Sequence, residues 1–180
     1  MRTITKLLLV IVVSCLVPGC AISHSYGPYM GKIVDKETDE PIEGAVVFMR
    51  FFRVGLFDTH NFADAVEVVT NKDGEFLVPI QRIVGFDPLA SFDPDGAVII
   101  FKPGYGAYPG HPEVSPRFTP GGTLPANQHV TIKLPKLKTK EERSDNAIRN
   151  LWPGSGVPES KYRLFEKLKK SEFHYLDKGD

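Results

Sequence analysis

The sequence predicts a mainly β protein, an antiparallel β-sandwich followed by a helical C-terminal extension. Three observations carry this reading. From Met30 onward the apolar residues either alternate with polar ones or come in short continuous runs, which is the rhythm of half-buried and fully buried strands. Polar and glycine-containing turns separate these runs, and no helical period intervenes before Pro135. After Pro135 the apolar spacing becomes that of amphipathic helices. With 180 residues, 42% hydrophobic, the chain can build one packed domain with an appendage.

Residues 1–19 read as an export signal. Arg2 and Lys6 precede Leu7 to Val17, a run that is apolar except for Ser14 and Cys15, and Pro18-Gly19-Cys20 follow. Eleven residues are too few to span a bilayer, which needs about 20. Val17-Pro18-Gly19-Cys20 resembles the lipobox of bacterial lipoproteins, which implies a lipid on Cys20 after cleavage. Cys15 would leave with the signal, so Cys20 has no internal disulfide partner. The alternatives are a free or intermolecular Cys20. The resemblance also implies a place in the bacterial cell envelope, and Ala21 in the next position implies the outer membrane, facing the periplasm or the cell surface. The membrane, through this anchor, is the first expected partner.

Residues 20–28 read as a tether, with Ser, His, Gly and Pro and little to bury. The body, residues 29–135, holds six expected strands. Met30 to Asp35 leads through the polar turn Lys36-Glu37-Thr38-Asp39-Glu40-Pro41 to Ala45 to Phe51. Ala65 to Thr70 and Glu75 to Ile80 read as a hairpin around Asn71-Lys72-Asp73-Gly74, with Gly74 free to take positive φ. Ala97 to Lys102 and Val130 to Leu134 complete the set. Three long connections remain, Phe52 to Asp64, Gln81 to Gly96 and the proline-rich Pro103 to His129, and loops of this length are functional or mobile.

Residues 136–180 read as two helices. Thr139 with Glu142 fits a capping box, and Ala147, Ile148, Leu151 and Trp152 give the first helix an apolar side. Pro153-Gly154-Ser155-Gly156 breaks it, and Pro158 is placed to start a second helix running to about Tyr175, with Tyr162, Phe165 and Leu168 on one stripe. Three settings suit this basic tail: against the body, on a partner protein, or on anionic lipid.

Gly31-Lys32-Ile33-Val34-Asp35, Pro41-Ile42-Glu43-Gly44-Ala45-Val46-Val47, Thr70-Asn71-Lys72-Asp73-Gly74-Glu75-Phe76 and Phe101-Lys102-Pro103-Gly104-Tyr105 together resemble the carboxypeptidase regulatory-like domain family. The resemblance covers about Tyr29 to Leu134. It implies a transthyretin-like, or prealbumin-like, Greek-key sandwich of about seven strands, with Ala45, Val47 and Phe76 facing inward. Its motifs are turn and core positions and imply no active site.

Charge and chemistry narrow the function further. Twenty-two basic residues balance 22 acidic ones, so no global field draws the chain to nucleic acid. No nucleophile elbow or metal-spaced cysteine or histidine cluster occurs, and no catalytic residue, metal or cofactor is expected. His60, His111 and Glu113 would meet only if two long loops converge, the basis of an alternative reading as a metal-dependent hydrolase. Asp35, Glu37, Asp39, Glu40 and Glu43 crowd the first turn and read as a solvated edge or a weak Ca²⁺ loop, with Asp87, Asp93 and Asp95 a similar case.

The aromatic residues of the long loops, Phe57, Phe62, Phe86, Phe92, Tyr105, Tyr108 and Phe118, either plug the sandwich ends or form an apolar binding surface. The expected function is a lipid-anchored, non-catalytic envelope module that binds or scaffolds a partner, an envelope protein or a glycan. A carbohydrate- or peptide-binding module of a transport or adhesion system is the second reading.

Overall fold

The computed structural model describes residues 22–85, 89–119 and 122–178. The lipidation and signal expectations, together with Phe86 and Asp87, lie outside the described residues. The described chain is mainly β, with nine strands and two C-terminal α-helices: β1 (Ile22–Tyr26), β2 (Tyr29–Asp35), β3 (Val46–Val54), β4 (His60–Val69), β5 (Glu75–Val78), β6 (Gln81–Gly85), β7 (Ser91–Phe92), β8 (Ala97–Phe101), β9 (His129–Leu134), α1 (Lys140–Asn150) and α2 (Arg163–Asp177).

All six expected strands are present, but they pair in ways the sequence did not reveal. β2 is the centre of one sheet, with β5 antiparallel on one side and β9 parallel on the other. An entirely antiparallel arrangement is therefore corrected: Met30 to Asp35 run alongside His129 to Leu134 in the same direction. β3 is the centre of the second sheet, with β4 on one edge and β8 and β7 on the other. The expected hairpin at Asn71 to Gly74 is a turn between sheets, because β4 pairs with β3 and β5 with β2.

The turn itself forms as its residues dictate. The Asn71 side-chain oxygen accepts from the backbone N–H groups of Asp73 and Glu75, and Gly74 N–H donates to the Asn71 carbonyl. Gly74 has φ +74, and a Cβ there would overlap the carbonyl oxygen of Ile33. Gly74→Val should therefore cost about 1–3 kcal/mol from the backbone conformation alone. A melting temperature several degrees lower is expected, and an unchanged one would show that residue 74 does not need the left-handed region.

Two of the three long connections shrink, and the third, from Pro103, stays without a strand or helix among its described residues until β9 begins at His129. β3 and β4 extend into the first as a hairpin with an irregularity at Phe51 and Phe52, leaving only a short turn at Leu56–Asp58. The second contains β6 and β7. The expected tether is also corrected: Ile22–Tyr26 is a strand paired along its whole length with β6. Tyr26 supplies the reason. Its ring packs against Phe51 at 4.4 Å and its hydroxyl donates to the Asp93 carbonyl at 2.7 Å.

Two apolar clusters organise the packing. The inner one joins both sheets, with Ile33, Phe76, Val78, Ile132 and Leu134 from one and Val47, Met49, Phe51, Val98 and Ile100 from the other. Ala45, Val47 and Phe76 do lie in it. The outer cluster covers the opposite side of β3 and β8: Val46, Phe48, Ile99 and Phe101 pack with Ala147, Leu151 and Phe165 of the helical segment. Of the three settings open to the tail, the structure takes packing against the body.

α1 begins at the capping box of Thr139 and Glu142, with both reciprocal bonds made. Its buried side is narrower than expected: Ala147 and Leu151 face the sheet, while Ile148 and Trp152 project outward. Pro158 precedes a 3₁₀ turn at Glu159–Lys161, and α2 starts only at Arg163. The start of α2 is capped by a strand residue, since both Glu67 carboxylate oxygens of β4 accept, from the N–H groups of Leu164 and Phe165. A carboxylate there satisfies donors that a helix leaves open and complements its dipole.

Candidate functional site

Ion pairs between segments far apart in sequence line a concave site at one end of the body. β2 and β9 end side by side, and the chain leaves both into the same region, through Lys36 and Glu37 and through Pro135 to Lys138. The proline-rich loop brings His111, Pro112 and Glu113 against them, and Glu142 of α1 closes the rim. The result is a cleft of about 380 Å³.

Its charges compensate one another. Lys36 donates to Glu113 at 3.0 Å, and Lys138 to Glu37 at 2.9 Å. Glu142 accepts from the backbone N–H groups of Lys138 and Thr139 at 2.7 and 3.1 Å. The hydrogen bond from Lys36, reinforced by its charge, holds the Glu113 carboxyl below the usual range. The two backbone donors do the same for Glu142, and Glu37 raises the Lys138 ammonium.

The surroundings of His111 bias it toward the neutral form. Burial lowers its pKa and Lys36 and Arg117 add to that, against the opposing pull of Glu113 and Glu142. Its Nδ1 accepts from the Glu113 N–H at 3.3 Å, so the neutral ring carries its proton on Nε2. What the arrangement offers is a set of exposed, exchangeable charges around a neutral imidazole. These suit recognition of a polar, mixed-charge surface.

The crowded acidic turn is partly buried. Asp35 is a buried anchor: burial opposes its charge, but the N–H groups of Glu37 and Thr38, the Tyr105 hydroxyl and Lys136 outweigh that and lower its pKa. Asp39 pairs with Lys133. The solvated edge holds for Glu37, Asp39, Glu40 and Glu43, which are exposed, with Glu37 and Asp39 paired to lysines at the surface; Asp35 alone departs from it, being buried and spent on turn geometry. Among the described residues no three His, Cys, Asp or Glu side chains gather as a metal site. His60 lies 3.7 Å from Asp93 and does not line the cleft of His111 and Glu113.

The loop aromatics are distributed over both clusters. Phe62 packs with the outer, helix-covered cluster, and Phe92, Tyr105 and Tyr108 with the inner one. Tyr108 is fully buried, and its hydroxyl donates to the Thr123 carbonyl at 3.2 Å. Phe118 is partly exposed and Phe57 almost entirely so.

No family model, curated protein or solved structure matches this chain. No helix among the described residues is long and apolar enough to cross a membrane.

The cleft and the start of the described chain lie at opposite ends of the body. At one end, Ile42 N–H donates to the Ile33 carbonyl and Gly44 N–H to the Thr70 carbonyl, which sets the end of β2 beside the start of β3. At the other, Ile22 pairs with Gly85, where a Cβ would stand 2.8 Å from an Arg53 guanidinium nitrogen near the end of β3. The nine residues of β3 separate these ends by roughly 30 Å at the rise of a strand.

Proposed function

We propose that this chain is a lipid-anchored module of the bacterial cell envelope, carried at the outer membrane by Cys20, that binds a partner through the charged cleft at its far end. The observation that carries the reading is the polarity of the body. Only Ala21 separates Cys20 from β1, so a lipid on Cys20 would hold one end of the body against the membrane. The cleft would then face away, toward whatever the module meets. The sandwich is proposed to be of the carboxypeptidase regulatory-like, Greek-key type. The inner cluster shared by two sheets supports this, as do the positive φ of Gly44 and Gly74 at the motif turns.

A binding role fits the cleft better than a catalytic one. Lysine, glutamate, histidine, proline and leucine line it, and its three carboxylates already hold partners. A protein or peptide surface of mixed charge is the preferred occupant over a glycan, because ion pairs can be exchanged for others at little cost in exposed positions.

Cys20→Ser tests the anchor. The protein should move from the membrane pellet to the soluble fraction and lose incorporation of labelled palmitate. Unchanged membrane association with no label in the parent chain would sink the reading.

A further inference from the structure

The turn between β3 and β4 presents an exposed apolar tip at the same end of the body as the first described residue. Leu56 is 56% exposed and Phe57 97% exposed. An isolated exposed phenylalanine is ordinary on a protein surface. This one also stands at φ 63, ψ 30, the left-handed region that a bulky side chain rarely adopts. The backbone around it is nonetheless well bonded. Gly55 N–H donates to the Thr59 carbonyl at 2.9 Å, and the Thr59 hydroxyl donates to the Leu56 carbonyl at 3.0 Å. The fold thus holds the ring outward from a formed turn.

The position of the tip identifies what it meets. Val54, just before the turn, pairs with His60 and Ser91, and Arg53 reaches Gly85, the partner of Ile22. Val84, next to Gly85, is itself 65% exposed. Leu56, Phe57 and Val84 are therefore exposed apolar residues at the end of the body where the chain arrives from Cys20. Side chains of this kind settle into the boundary between headgroups and acyl chains.

We propose that the Leu56–Phe57 tip is a second, reversible contact with the lipid bilayer, which fixes the orientation of the body beside the anchor. The proposal rests on the reading that Cys20 carries lipid. A single point of attachment holds this end at the membrane but does not fix the tilt of the body. A wedge at the same end holds the charged cleft outward.

The experiment uses the full lipidated chain reconstituted into phosphatidylcholine vesicles brominated on their acyl chains, in a Trp152→Phe background. The Phe57→Trp variant should emit about twofold less than in unbrominated vesicles, given burial ~5–10 Å into the interface. The Glu37→Trp variant, at the cleft end, should be unaffected. Adding Leu56→Asp to the Phe57→Trp variant should restore its emission while the protein still floats with the vesicles. Unquenched Phe57→Trp emission from a chain that floats with the vesicles overturns the tip and leaves the anchor standing. Quenching at both positions overturns the orientation. Failure of the parent chain to float overturns the anchor, and the tip with it.

Discussion

Removing residues 136–180 is expected to leave a body that neither stays soluble nor unfolds cooperatively. The deletion strips Leu151 and Phe165 from the outer face of the β3–β4–β8 sheet. Val46, Phe48, Ile99 and Phe101, all buried in the intact chain, then meet water. At about 1.5–3 kcal/mol for each large apolar side chain left exposed, the loss is of the order of 6–12 kcal/mol. Whole domains are stable by only about 5–15 kcal/mol. Polar links go as well: the Arg50 guanidinium donates to the Pro153 carbonyl at 3.0 Å, and Glu67 loses the helix start that it caps. Soluble yield and a thermal melt followed by circular dichroism decide the matter. A soluble fragment with a sharp transition near that of the full chain would mean that the helices are an accessory layer.

From the sequence the tail reads as an appendage, with packing against the body only one of its three settings, and the reason is instructive. β3 and β8 contain the uninterrupted buried runs Val46 to Met49 and Val98 to Phe101. Such runs announce burial on both faces, because successive strand side chains point to opposite sides. One face answers the other sheet and the second needs another layer. Strand periodicity marked the six main strands correctly and the capping box marked α1, since both signals are local. β1 escaped notice because its burial comes from partners far along the chain, Phe51 and β6, and its own Ser and His residues look like a linker. The parallel alignment of β2 and β9 leaves no trace in either strand.

The candidate site was legible only in fragments. His111, Glu113 and the acids of the first turn stood out one by one, but the cleft depends on pairs separated by 77 and 101 residues. Opposite charges at such distances carry no sequence signature. The loop aromatics were conspicuous from composition, yet conspicuousness did not separate Tyr108, a core residue, from Phe57, a projecting one. Exposure is decided by the turn that holds each ring.

Glu172→Ala is expected to lower the melting temperature by as much as roughly 6–20 °C, from a cost of at most about 3–5 kcal/mol for breaking an ion pair whose carboxylate is fully buried and whose guanidinium is partly exposed, at about 2–4 °C per kcal/mol for this chain length. Glu172 is 0% exposed, and its two carboxylate oxygens accept from Nε and Nη2 of Arg143 at 2.8 and 2.5 Å. The same guanidinium lies 3.6 Å from the centre of the Tyr175 ring, so one residue of α1 is clasped by two of α2. Hydrogen bonding to Glu172, aided by its charge and by Tyr175, outweighs burial and raises the Arg143 pKa, which leaves the cation no route to neutrality. Alanine at position 172 therefore strands a charged group in a site built for a partner. The double variant Arg143→Leu/Glu172→Leu separates this cause from simple loss of contact: with both charges gone it should recover most of the lost stability. A double variant as unstable as Glu172→Ala would mean that shape, and not charge, joins α1 to α2. In that case the pair would be an effect of the helix packing that covers Phe48 and Phe101, and the stranded-charge account would fail.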